Sequence, residues 1–133
     1  MSRQQSNPYH NPNPYIPASL SEIYDLLGSM ILGAPTFIDP LGDFPERNID
    51  SEFHVLVEGF GLVRRKLGEE RHAALIDLAE RAKALFAADQ DDTNGKTDQG
   101  RALLFEIEDL LGEVRRARVE ARQPDDEGEV TGD

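Results

Sequence analysis

The 133-residue chain contains no cysteine. This absence excludes disulfide bonds, thiol catalysis, and zinc or iron–sulfur sites with cysteine ligands. It is compatible with a reducing compartment, and a cytoplasmic location is the expectation. The chain also lacks any apolar run near the ~20 residues that a membrane span requires. Its N-terminal stretch, MSRQQSNPYHNPNPYIP, has no apolar core of the kind that a secretory signal needs.

Basic residues are scarce. The sequence has 14 Lys and Arg against 26 Asp and Glu, which gives a formal net charge of −12. Direct binding of nucleic acid or of an anionic membrane surface is therefore disfavoured, because both require clustered Lys and Arg. A basic protein is the natural electrostatic complement of such a chain. Acidity that only keeps the protein in solution is the simpler alternative.

Alternation of apolar and polar residues, which is typical of β-strands, is absent, and helical periodicity dominates. Four helices are predicted. The first begins at a capping box formed by Ser19 and Glu22. The next two span about residues 50–67 and 69–87, and the fourth begins near residue 97. We therefore expect an all-α fold, a compact bundle of about four main helices.

The chain divides into an arm, a helical domain over residues 19–123 and a tail. Residues 1–18 are rich in Asn and Pro, which favours a disordered or extended arm. Residues 124–133, PDDEGEVTGD, carry five acidic residues and no basic one, which predicts a disordered tail. The loop FIDPLGDFPERNID, residues 37–50, is longer than a plain helix connection, and its five large apolar residues predict order.

Two glycines, Gly59 and Gly61, interrupt the apolar pattern of the second helix. A dinucleotide-binding loop would need a strand before them, and none is predicted. Each glycine costs roughly 1 kcal/mol inside a helix. The glycines therefore predict either close approach by another helix or a local break.

An arginine and a histidine provide one candidate for catalysis. The spacing of Arg65 and His72 resembles that of the Arg and His pair in helical HEPN-type ribonucleases. In those enzymes the His acts as acid or base and the Arg holds phosphate. Gly68 lies between the two and is expected to end a helix. A structural role for His72, which lies on an apolar stripe, is the alternative.

Carboxylates provide the other candidates. Asp77 with Glu80, and Glu106 with Asp109, have the spacing with which helical nucleotide pyrophosphohydrolases hold Mg²⁺. Helical geometry turns three of these four away from the apolar stripes, so solvated acids are the alternative. The acids of residues 39–52 do not follow the calcium-loop spacing. No catalytic residue, cofactor or metal ligand is assigned, and a binding protein is expected rather than an enzyme.

The long loop is the main candidate for binding. Phe37, Ile38 and Ile49 are expected to anchor it, while its acids project and its other apolar residues, Leu41 and Phe44, insert into a partner. The alternative is that all five apolar residues close the bottom of the bundle. The outer face of the fourth helix and the loop before it, with Asp89, Asp91 and Asp92, supply secondary contacts. The predicted binding residues are Asp39, Leu41, Asp43, Phe44, Glu46, Asp50, Glu52, Glu106, Asp109 and Glu113.

The stretch FIDPLGDFPERNIDSEFHVLVEGFGLVRRKLGEER, with the later GRALLFEIEDLL, resembles small all-helical immunity proteins of bacterial contact-dependent growth inhibition and related polymorphic toxin systems. The resemblance covers about two-thirds of the chain. It implies an antidote that binds the toxic C-terminal domain of a surface effector and blocks its active site. Many such toxins are basic nucleases. A metal-dependent nucleotide pyrophosphohydrolase and an acidic adaptor without antitoxic function remain the alternatives.

Overall fold

The computed structural model describes residues 15–38, 42 and 47–121. These residues form helices and connections and contain no strand, which confirms the predicted all-α bundle. The helices are α1 (Leu20–Gly33), α2 (Ile49–Leu62), α3 (Arg64–Leu67), α4 (Glu69–Ala87) and α5 (Lys96–Glu120).

The four long helices alternate in direction around the bundle. α1 packs on α2 and α5, and α4 packs on the same two helices from the other side, so that α2 and α5 occupy opposite corners. The Tyr24 hydroxyl donates to the Glu108 carbonyl at 2.9 Å, and Arg101 donates to the Ile31 carbonyl at 3.2 Å. Of these two contacts, the one that lies later in α1 lies earlier in α5, so the two helices are antiparallel.

One apolar core runs through the bundle, and its centre is aliphatic. Burial of each large side chain contributes about 1.5–3 kcal/mol, and this burial holds together helices that would be marginal alone. The fully buried large side chains are Phe60, Phe86, Leu20, Ile23, Leu27, Met30, Leu56, Leu75, Leu104, Ile107, Leu111 and Val63.

The predicted N-cap of α1 is present, but the Glu22 carboxylate accepts from a different backbone N–H than a capping box requires. The Ser19 hydroxyl accepts from the Glu22 backbone N–H at 3.2 Å. The Glu22 carboxylate reaches one residue further back than a capping box requires, to the Ala18 N–H at 2.8 Å, and also accepts from the Tyr15 hydroxyl at 2.6 Å. The last residues of the predicted arm, Tyr15 to Ala18, are thus fixed to the first turn of α1.

The second predicted helix is two helices, because the chain turns at Val63. Val63 has φ −107° and ψ 17°, outside helical values, and its N–H is shared between the Gly59 and Phe60 carbonyls. Phe60 and Leu67 are buried on the two sides of this turn and Val63 is buried within it, so the apolar stripe continues through it. The glycine pair thus marks a local break in the helix, which is one of the two alternatives predicted from the sequence.

Two helical glycines permit close packing. A Cβ on Gly59 would lie 2.9 Å from the Pro17 side chain, so the close neighbour is the segment before α1 and not another helix. A Cβ on Gly100 would lie 2.6 Å from the Phe86 ring. Gly100 therefore lets the start of α5 pack directly on the aromatic end of α4.

Candidate functional site

The end of the bundle where α1 and α4 finish and α2 and α5 begin is strongly acidic. The segments 47–52 and 88–98 meet there, and they contain six acidic and two basic residues. We call these two segments, together with residues 29–38 at the end of α1, the acidic end. Their acids are Asp50, Glu52, Asp89, Asp91, Asp92 and Asp98.

Phe37 anchors the connection after α1 to the core. It is 4% exposed, and its ring makes edge contacts with Phe53 at 5.6 Å and with Phe86 at 5.2 Å between centroids. Its φ of 61° is left-handed, a conformation that costs a bulky residue about 1–3 kcal/mol. Burial of the ring between two helices outweighs this strain and fixes where the loop leaves α1.

Two polar side chains tie the loops of the acidic end together. Gln90 donates to the Pro35 carbonyl at 2.7 Å and to the Phe86 carbonyl at 2.9 Å. Arg101 donates to the carbonyls of Ile31 and Ala34, each at 3.2 Å. The last carbonyls of α1 are thereby satisfied from α5. These hydrogen bonds therefore hold the segments of the acidic end in fixed positions relative to one another.

Asp89 organises the loop between α4 and α5. Its carboxylate accepts from the backbone N–H groups of Thr93, Asn94 and Thr97 at 2.8, 3.2 and 2.9 Å. Burial acts to raise the pKa of this carboxyl, but the hydrogen bonds from Thr97, Thr93 and Asn94 together hold it below its usual value. Asp89 is 3% exposed. Its predicted role as a partner contact is therefore wrong, because the side chain is used inside the protein.

An apolar depression lies beside these acids. Leu32 is 87% exposed and Ile38 is 60% exposed, and both line a depression of about 220 Å³ between the end of α1 and the start of α2. Ser29, Arg47 and Glu52 complete its wall. The prediction that Ile38 anchors the loop is wrong, because Phe37 takes the buried position and turns Ile38 outward.

Glu52 is the partly buried acid of this depression. Burial raises the pKa of its carboxyl, and the Arg47 guanidinium lowers it by less. Asp50, two residues before it, is exposed and lies 2.9 Å from the Lys83 ammonium group. An exposed pair of this kind contributes at most about 1 kcal/mol. Asp50 therefore remains available to a partner.

The ten predicted binding residues fall into three groups. Asp50 and Glu52 belong to the acidic end. Glu106, Asp109 and Glu113 are exposed on α5, which lies at the corner opposite α2. One flat partner surface cannot contact both groups at once. The remaining five lie outside the described residues: Asp39, Leu41, Asp43, Phe44 and Glu46.

The enzyme patterns gain no support from their placement. Asp77, Glu80, Glu106 and Asp109 are all exposed on outer faces. Within residues 15–38, 42 and 47–121, no three His, Asp or Glu side chains come close enough to hold a metal ion. Gly68, with φ 83°, separates Arg65 on α3 from His72 on α4.

Sequence reasoning missed Leu32 as an exposed apolar residue of the site. The buried apolar residues of α1 recur with helical spacing at Leu20, Ile23, Leu27 and Met30, and Leu32 falls outside this pattern. The leucine therefore lies on the opposite side of the helix, a signal that was available in the sequence. The hydrogen bonds from Arg101 to the Ile31 and Ala34 carbonyls join residues that are 70 and 67 positions apart in sequence, and no local sequence pattern indicates them.

Searches of family models, of curated proteins and of solved structures find no match to the chain. In the part of the chain that the structure describes, no helix is both long enough and apolar enough to cross a membrane.

Proposed function

We propose that this protein is an immunity protein, a stoichiometric inhibitor that neutralises a basic, nuclease-type toxin domain in the bacterial cytoplasm by covering its active site. The observation that carries the proposal is the acidic end, where exposed carboxylates and exposed apolar side chains lie at the same end of the bundle. Protein interfaces commonly have this anatomy, with an apolar centre and a polar rim.

The centre of the proposed contact is the apolar depression. Leu32 and Ile38 are the exposed apolar side chains there, and the hydrogen bonds of Gln90 and Arg101 hold the backbone that presents them. A prearranged surface loses less conformational entropy on binding. The depression therefore receives one apolar or aromatic side chain of the toxin.

The rim supplies the charge. Asp50, Asp91 and Asp92 are exposed. The sequence between Ile38 and Arg47 adds three further acids, Asp39, Asp43 and Glu46. A nuclease cleft is positive because it binds phosphates. Opposite charges accelerate association, and the acidic end then occupies the cleft in place of the nucleic acid. No chemical step by the inhibitor is needed.

The α5 face with Glu106, Asp109 and Glu113 is assigned a minor role. Its acids lie further along α5 than the segment 88–98 of the acidic end, and basic residues follow on the same helix at Arg115 and Arg116. These arginines offset the local negative charge. In this proposal α5 contributes to the long-range field and not to the contact.

Rescue of toxicity tests the proposal. The toxic domain encoded next to this gene is expressed with and without this protein, and the pair is assayed for a complex. Protection together with a one-to-one complex is the expected result. A complex without protection would identify an adaptor instead. Absence of both would overturn the proposal, and Mg²⁺-dependent hydrolysis of nucleoside triphosphates would then be assayed.

A further inference from the structure

The apolar depression between the end of α1 and the start of α2 contains a carboxylate that lacks a donor. Glu52 lines this depression together with Leu32, Phe37 and Ile38. Within residues 15–38, 42 and 47–121, no group donates a hydrogen bond to the Glu52 carboxylate, and the Arg47 guanidinium acts on it through charge alone. A partly buried acceptor with unused lone pairs is a group that a bound partner can satisfy.

The occupant of the depression has to satisfy this carboxylate. A purely aliphatic side chain would displace the water around Glu52 without replacing its hydrogen bonds. That exchange is unfavourable, because a charged group that is covered without a donor keeps its full desolvation penalty. Burial within the protein already raises the pKa of Glu52. A partner that covers the carboxylate further is therefore favoured only if it brings a donor.

A neutral donor fits the depression better than a second cation. The Arg47 guanidinium lines the same wall and already lowers the pKa of Glu52 by its positive charge. An incoming Lys or Arg would bring a like charge close to that guanidinium. The walls that Leu32, Phe37 and Ile38 supply are apolar, and they favour an aromatic ring over a charged head group.

The size of the depression suits one aromatic side chain. Its volume is about 220 Å³. A cavity of about 150 Å³ lined by Leu, Ile and Phe accommodates benzene, so there is additional room for a hydroxyl group or a fused ring. When tyrosine and tryptophan are buried, the O–H or N–H usually finds a hydrogen-bond partner, and both residues are enriched among those that contribute most to interfaces.

We propose that the depression is a subsite for a tyrosine or tryptophan side chain of the toxin, whose ring packs on Leu32 and Ile38 while its O–H or N–H donates to the Glu52 carboxylate. The inference rests on the proposed function for the source of this side chain, but the chemistry of the subsite does not depend on it. Glu52 is the acceptor that selects aromatic residues with a donor over phenylalanine or leucine.

Titration of the full chain with two small probes tests the subsite without the toxin. The first probe is 4-methylphenol, which reproduces the tyrosine side chain, and the second is 4-methylanisole, in which a methyl group replaces the donated hydrogen. In isotope-enriched protein we expect 4-methylphenol to shift the amide signals of residues 29–38 and 47–52 saturably, with a Kd of roughly 1–10 mM. Shifts centred on other segments, or no saturable shift, would overturn the subsite.

Repeating both titrations with Glu52→Leu isolates the hydrogen bond. The ratio of the two Kd values measures the preference for 4-methylphenol, and differences in hydrophobicity between the probes cancel when this ratio is compared between the two chains. We expect the preference to be about fivefold larger in the unsubstituted chain, because only that chain has the acceptor. An equal preference in both chains would overturn the role assigned to Glu52.

Two exposed leucines provide a matched pair of control variants. Leu32→Ala removes part of the wall and is expected to weaken 4-methylphenol binding at least threefold. Leu62→Ala, at the other end of α2, is expected to leave binding unchanged. Equal effects of the two would contradict the position of the subsite. Probe binding without rescue from the toxin would overturn the proposed function alone, whereas rescue without probe binding would overturn the subsite alone.

Discussion

Replacing Phe37 with alanine is expected to be among the most destabilising single changes in the chain. The ring is 4% exposed and contacts the rings of Phe53 and Phe86. Removal of a buried phenylalanine ring costs about 3–5 kcal/mol, from lost transfer energy and from the cavity that remains. A domain of this size is stable by about 5–15 kcal/mol, so the loss is a large fraction of the total.

Urea unfolding followed by circular dichroism measures this cost. With a slope of about 2 kcal/mol per molar, a loss of 4 kcal/mol lowers the midpoint by about 2 M. Ile38→Ala is the matched control, because the neighbouring isoleucine is 60% exposed. Equal losses below about 1 kcal/mol for both variants would refute the placement of Phe37 in the core, since surface substitutions usually stay within that range.

A second substitution at the same position tests the backbone conformation. Phe37 has a φ of 61°, where alanine remains strained and glycine does not. Phe37→Gly is therefore expected to be more stable than Phe37→Ala by about 1 kcal/mol, the reverse of the order found in ordinary backbone. If glycine is the less stable of the two, the left-handed conformation is wrong.

Two further predictions concern packing and pH. Gly100→Ala forces a Cβ against the Phe86 ring and is expected to destabilise the protein by about 1–2 kcal/mol. Gly28→Ala on α1, where the space around the glycine is open, is expected to stabilise it by up to about 1 kcal/mol. Thermal melts compare the two variants, and a gain in stability from both would contradict the tight Gly100 contact. Burial raises the pKa of Glu52 above its unfolded value, so its contribution to stability is present at acidic pH and is lost as the pH rises through the folded pKa. Glu52→Gln should therefore raise the melting temperature at pH 7 and have less effect near pH 4. An equal shift at both pH values would be inconsistent with a raised pKa.

The bundle was predictable because its apolar residues recur with helical spacing. The third predicted helix, residues 69–87, has the bounds of α4. The position of the turn at Val63 was not predictable. The dihedral angles change there, but the helical spacing of the buried apolar residues continues through the turn. Local signals also indicate the caps: Asn48 is of a residue type favoured at a helix N-cap, and it exchanges hydrogen bonds with Ser51.

The candidate site was predictable only in part. The sequence indicates that the loop after α1 carries acids and apolar residues, but it does not tell which of Phe37 and Ile38 is buried. The burial of Asp89 also depends on the loop geometry that brings three N–H groups to its carboxylate.

The most direct test of the central claim compares two triple variants with the same change in charge. Asp50→Asn, Asp91→Asn and Asp92→Asn neutralise the acidic end, and Glu106→Gln, Asp109→Asn and Glu113→Gln neutralise the α5 face. The association rate constant with the toxin domain is measured for each at two salt concentrations. The account predicts roughly tenfold slower association and a clearly weaker salt dependence for the first variant, and a much smaller change in both for the second. Equal slowing of both, or slowing of the α5 variant alone, would contradict it.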